Sequence, residues 1–368
     1  MKNTVKIICF LLLSVLLFQS CKLGRFVFYN FANITDHKIF PYRTIETSSS
    51  VFIFPEARHP KQLENIDTDK VNEPFDAYLE RTRTVAFLVI QDDSIQYEKY
   101  FNKYAEESVV ASFSMAKSIT SMLIGIAIEE GKIQSVDEPV TNYIPELKPN
   151  GFDAVTIKHL LQMTSGLDFN ESYTNPFGHA ATFYYGTNLR KAINKLKLND
   201  TPGEKFDYNS GTAQLLGLVL ERALKTQTVS SYLEEKIWKP LGMEYDATWS
   251  LDREKDGLEK TFCCLNARAR DFAKLGRLYL HNGKWNDTQI IPERWVKAST
   301  KLDTTEHSAP FYQYQWWLTK NAEQFYAQGI LGQYIFVDPD KNLIIVRLGE
   351  KTSKVNWVRF IAQVADSY

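Results

Sequence analysis

Cysteine is scarce, with four in 368 residues. Cys9 lies within an N-terminal apolar run, Cys21 stands just past it, and only the adjacent pair Cys263-Cys264 belongs to the body of the chain. Adjacent cysteines rarely bridge each other, so the pair reads as core packing and no disulfide framework is expected. The Cys-x-x-Cys and His/Cys spacings of a zinc site are missing, as is His-Glu-x-x-His, so nothing asks for a metal or another cofactor. Gly-x-Ser-x-Gly is absent too, and none of the six histidines stands in a motif suited to a general base, which argues against a histidine-based triad. Neither sign of charge prevails. Forty-three basic residues against 44 acidic ones leave a net charge of −1, without a basic stripe, so nucleic acid is not an expected partner.

No apolar run is long enough to span a bilayer as a stable helix; that from Ile7 to Phe18 falls short. Lys2 and Lys6 precede it, which is the layout of an export signal. It ends Leu17-Phe18-Gln19-Ser20-Cys21, which resembles a bacterial lipoprotein cleavage site with Cys21 as lipid acceptor. Residues 1–21 are therefore read as a lipoprotein-type signal, and the protein as exported to the bacterial cell envelope and membrane-anchored through Cys21. What remains has an ordinary globular make-up, 44% hydrophobic and 24% charged, with an aromatic content of 13% that suits a ring-lined cleft as well as a core.

The chemistry centres on Ser114-Met115-Ala116-Lys117, the only Ser-x-x-Lys in the chain. An apolar helix follows to Glu130, closed by Gly131. Three residues apart on a helix means one face, so hydroxyl and amine can touch. Ser114 would stand in the first turn, where free N–H groups and the positive dipole end favour a developing anion. A desolvated lysine can take the serine's proton and make a nucleophile of it.

Strands are expected at 84–90 and 94–101, joined as a hairpin, and again at 314–318, 324–330, 333–337 and 342–348. Helices are expected at 156–166, 212–224, 266–281, 292–299 and 354–365, and His159 within the first of these reads as a packed or surface residue. The pattern predicts an α/β (α+β) fold. An antiparallel sheet is made from both ends of the chain, helices flank it, and a mostly helical segment is inserted at about 131–240. Residues 22–80 form an extension that packs on a body running from 81 to 368. Tyr208 stands in the turn before a buried helix, a rigid place for a working side chain.

Together these segments resemble the serine beta-lactamase and penicillin-binding-protein superfamily, above all the class C branch with its D-alanyl-D-alanine carboxypeptidases, esterases and 6-aminohexanoate-dimer hydrolases. The resemblance rests on Ser114 to Lys117, His159 to Gly166, Pro202 to Gly211, Ala269 to Gly276 and Gly329 to Gly332. It implies Ser114 as nucleophile, Lys117 as the partner that accepts its proton, and Tyr208 as the group that passes the proton to the leaving group and activates the deacylating water. It further implies an oxyanion hole from the backbone N–H groups of Ser114 and of Ile330 on an edge strand. Tyr173, in the loop wall, resembles the substrate-contacting tyrosine of the 6-aminohexanoate-dimer hydrolases. Two departures stand out. The usual Tyr-x-Asn is here Tyr208-Asn209-Ser210, and the usual Lys-Thr-Gly is Ala327-Gln328-Gly329. Ser210, Gln328 and Gly329 become substrate-binding candidates, and the missing cation speaks against efficient beta-lactam hydrolysis. The expectation is an exported serine hydrolase acting on a small ester or amide. The competing reading is a non-catalytic lipoprotein that holds cell-wall peptides or glycans.

Overall fold

The computed structural model describes residues 22–29, 31–61, 63, 73–304, 307–320 and 323–368. The expected signal and its acceptor Cys21 lie outside them. The chain begins with α1 (Lys22–Tyr29), β1 (Tyr42–Ile45) and α2 (Phe75–Arg81). The hairpin follows as β2 (Thr84–Gln91) and β3 (Ser94–Tyr100), turning at Asp92 and Asp93, whose φ values of 50° and 59° match the right-handed twist of the strands. After β4 (Val110–Ala111) comes α3 (Met115–Glu129), stopped at Gly131 with φ 67°. Helices, 3₁₀ turns and loops fill the next hundred residues: α4 (Ile157–Leu161), α5 (His179–Tyr185), α6 (Leu189–Ile193), α7 (Ser210–Leu224) and α8 (Val229–Leu233). Then come β5 (Ala247–Ser250), β6 (Leu265–Ala267), α9 (Ala269–Leu280), the small hairpin β7 (Lys284–Trp285) and β8 (Thr288–Gln289), and α10 (Glu293–Thr300). The chain closes with β9 (Tyr312–Gln313), β10 (Trp316–Leu318), β11 (Phe325–Gly329), β12 (Gln333–Asp338), β13 (Leu343–Gly349) and α11 (Trp357–Asp366).

The main sheet runs β3-β2-β13-β12-β11-β10-β9, antiparallel throughout, so both ends of the chain build it. Val85 to Ile90 of β2 are apolar without a break because both faces of the strand are covered. Val85, Leu88 and Ile90 face the large core under α3 and α9, whereas Phe87 and Val89 face a second core with Phe75, Trp357 and Phe360 from α2 and α11. Each such side chain contributes about 1.5–3 kcal/mol by leaving water. A second sheet, β1-β5-β6-β4, joins the N-terminal extension to the body and holds the chain just ahead of Ser114.

Several expectations need correction. Cys263 and Cys264 are bridged, and Cys264 takes φ 73° in the turn that allows it. The helix expected from Asn266 begins only at Ala269, because Leu265–Ala267 pairs as β6 with β4 and β5. The strand expected at 314–318 is confined to β10 at 316–318, since Tyr314 and Gln315 both turn left-handed, with φ 40° and 70°, and join it to its partner β9. β11 stops at Gly329, which leaves Ile330 in the following turn. β11 is also not a sheet edge along its whole length. β10 pairs with Phe325 and Tyr326 only, and the segment from Ala327 onward runs free on that side.

Candidate active site

Ser114 is raised by a sharp turn between β4 and α3. The Ser112 N–H bonds to the Leu265 carbonyl at 2.8 Å, and Phe113 adopts φ 45°, a left-handed conformation that costs a non-glycine residue about 1–2 kcal/mol. Ser114 then occupies the N-cap position of α3 with a helical φ of −65°, and its side chain makes no capping bond. The hydroxyl meets Lys117 instead, whose Nζ lies 2.8 Å from Oγ.

Lys117 is 1% exposed. Its amine also donates to the Phe262 carbonyl at 2.9 Å and stands 5.0 Å from the centre of the Tyr208 ring. Among the described residues no carboxylate bonds to it, and burial pulls its pKa down from 10.5 to about 8, opposed in part by the charge of Glu171. The Phe262 carbonyl is itself well placed. The neighbouring Thr261 N–H bonds to Gln214 of α7 at 3.1 Å, and the Cys263-Cys264 bridge follows directly.

Tyr208 comes from the extended residues before α7. Asn209 caps that helix by accepting the Thr212 N–H at 2.8 Å, which fixes the preceding tyrosine. The ring leans on Tyr312 and Trp317, with centres 5.8 and 5.3 Å away. Burial pushes the phenol well above its ordinary pKa of 10, a hydrogen bond with Ser114 opposes this, and the charge of Glu171 adds to it.

The end of β11 closes the site. Ser114 and Ile330 line the same two cavities. Gln333 Nε2 holds the Ile330 carbonyl at 3.2 Å, while the buried Arg347 reaches the Gly332 carbonyl at 2.5 Å. Gly332 has φ 86°, and a Cβ there would strike the Arg347 guanidinium at 2.0 Å, so only glycine fits.

The sequence-derived candidates therefore converge. Tyr173, Gln328 and Gly329 line the cavity that also holds Ser114, Tyr208 and Ile330; Ser210 lines the other, with Tyr173 shared between them. Residues that the sequence did not single out also take part. Glu171 accepts from the Ser210 N–H at 2.8 Å, the Ser210 hydroxyl at 2.6 Å and the Tyr173 hydroxyl at 2.7 Å, so the shorter residue at position 210 is held by a carboxylate. Trp317, Tyr334 and Thr352 complete the wall on the Tyr208 side, where no lysine or arginine stands among the described lining residues. His159 serves the fold: its Nδ1 accepts the Thr156 N–H at 3.2 Å in a capping box.

The profile of the family described as Beta-lactamase matches residues 71–358. The chain belongs to the beta-lactamase family. Its members here are serine hydrolases of the beta-lactamase and esterase type. Among relatives of this beta-lactamase-family chain, the 6-aminohexanoate-dimer hydrolase of Paenarthrobacter ureafaciens is 28% identical over 292 residues, 73% of each chain. A Bacillus anthracis structure named for 6-aminohexanoate-dimer hydrolase superposes with a TM-score of 0.82 at 24% identity, covering 91% of this chain and 92% of that one. A family VIII carboxylesterase superposes with a TM-score of 0.64 at 17% identity, over 80% of this chain and 95% of the other. These two structures share the fold, with its antiparallel sheet and flanking helices.

Proposed function

We propose that this protein cleaves an ester or amide through an acyl-enzyme on Ser114, and that it is not an efficient beta-lactamase. The observation that carries the reading is the 2.8 Å contact between a buried, carboxylate-free lysine and the serine hydroxyl. Environments that push two titratable groups apart assign their roles. Lys117, lowered to about 8, is neutral often enough near pH 8 to take the serine proton. Tyr208, raised, stays a phenol and can hand its proton to the leaving group. The N–H groups of Ser114 and Ile330 receive the oxyanion. The name of the Paenarthrobacter relative, a 6-aminohexanoate-dimer hydrolase, supports hydrolysis of a small substrate. The neutral wall around Gln328 supports weak activity on penicillins, whose carboxylate would find no cation there. Export and lipidation at Cys21 belong to the same proposal and rest on the N-terminal sequence. A pure binding module would have no use for the opposed shifts of Lys117 and Tyr208.

The test is Ser114→Ala assayed with an activated ester. Turnover should fall to background with the thermal unfolding midpoint kept; wild-type rates in the variant would refute the assignment.

A further inference from the structure

Ser114 and Ile330 border two cavities. One, lined by Tyr208, Trp317, Gln328 and Tyr334, carries polar groups. The other measures about 290 Å³, and its walls include Phe26, Phe31, Phe113, Ala180, Tyr184 and Phe262. Tyr208 lines only the first, so a leaving group that takes its proton must lie there, and the acyl group is left with the second. Resting on the acyl-enzyme reading above, we propose that the second cavity is an acyl pocket for an uncharged aliphatic chain or aromatic ring. Its outer wall comes from Phe26, Phe31 and Ala32 of the N-terminal extension.

That segment is fastened to the site. The Phe26 ring meets Tyr185 edge-on at 5.6 Å, and Arg25 Nη1 donates to the Tyr185 carbonyl at 3.5 Å, which lays α1 along α5. Just beyond, the Ala111 N–H bonds to the Ile34 carbonyl at 3.1 Å, three residues before Ser114. Asp36 accepts the Tyr184 hydroxyl at 2.7 Å, and Tyr184 itself faces the cavity. The extension thus reaches the pocket from one side while its next residues grip the strand that leads to the nucleophile.

The lining selects a chemical class. Among the described lining residues none carries a formal charge, and the polar groups are hydroxyls of serine, threonine and tyrosine. A charged acyl group would lose its hydration there without gaining a partner. The volume is about twice the roughly 150 Å³ that takes up benzene in an apolar cavity, enough for a fused aromatic ring pair or a chain of about eight carbons.

The experiment uses the full chain with p-nitrophenyl acetate and octanoate, together with a methyl and an octyl fluorophosphonate whose site of attachment is read by peptide mass spectrometry. The expected result is labelling of Ser114 by both probes and a kcat/KM for octanoate about 100-fold above that for acetate. Ala32→Trp, which fills the pocket, and Phe26→Ala, which removes its outer wall, should each lower the octanoate-to-acetate ratio at least tenfold. The ratio does not depend on the amount of folded enzyme. If Ser114 is labelled by the methyl probe but wild type shows no chain-length preference, or both variants keep the ratio, the acyl-pocket inference falls and the serine-hydrolase reading stands. If the methyl probe does not label Ser114 in the folded protein, both fall together.

Discussion

A Cβ on Gly329 would stand 2.4 Å from the carbonyl oxygen of Ser112. The end of β11 therefore lies directly against the turn that raises Ser114, the proposed nucleophile, and one peptide further on is the N–H of Ile330. Gly329→Ala should force these segments apart and spoil the proposed oxyanion hole. Loss of one such donor lowers kcat by about 10²–10³, so a fall of at least 100-fold is expected in ester turnover, with folding checked by circular dichroism.

The pH profile should follow Lys117. Burial lowers its pKa to about 8, and the base works when neutral, so acylation should rise with pH through about 8 and level off above it. Stopped-flow measurement of the acylation burst across pH 6–10 checks this.

Glu171 shapes that profile from a distance. Its charge raises the Lys117 pKa against the larger effect of burial. Glu171→Gln should thus move the acylation midpoint to lower pH, and it should also loosen Tyr173 and Ser210, visible as a raised KM. A midpoint that moves upward would contradict the arrangement.

Two buried lysines tie stability to pH. Lys117 and Lys260 are lowered by burial to about 8 and about 7, from 10.5 in an ordinary setting. Lys260 donates to the carbonyls of Phe183 and Tyr184 at 3.0 and 2.8 Å. Between the folded and unfolded values the unfolded chain binds more protons, so stability should rise with pH from about 7 to 10.5 as far as these groups decide it. Lys260→Met should flatten the rise in unfolding midpoint over that range.

Much of this was legible in the sequence, because local rules govern it. Ser114 and Lys117 share a helix face by spacing, Tyr208 stands in the turn before a buried helix, and the sheet strands alternate or run apolar according to which faces are covered. What escaped depends on contacts between distant segments. Glu171 meets Ser210 across a loop whose path no periodicity records. β1 is four residues long and finds its partner β5 only in the folded chain, at Tyr42 opposite Ser250. The bridge between Cys263 and Cys264 sits where Cys264 is left-handed, a backbone conformation that no local pattern announces. Phe26 and Phe31 sit in an extension without motifs, and only the fold brings them to the cavity beside Ser114.

The most direct measurement is mass spectrometry of Tyr208→Phe quenched during turnover of an activated ester. The leaving group of an activated ester needs no proton from Tyr208, so acylation should persist; the deacylating water loses the phenol that activates it, so deacylation should slow and the acyl group should be caught. The expected result is a peptide containing Ser114 that is heavier by the acyl group less the hydroxyl hydrogen it replaces; turnover with that peptide unmodified, and the acyl group on another residue or on none, would contradict the assignment of Ser114.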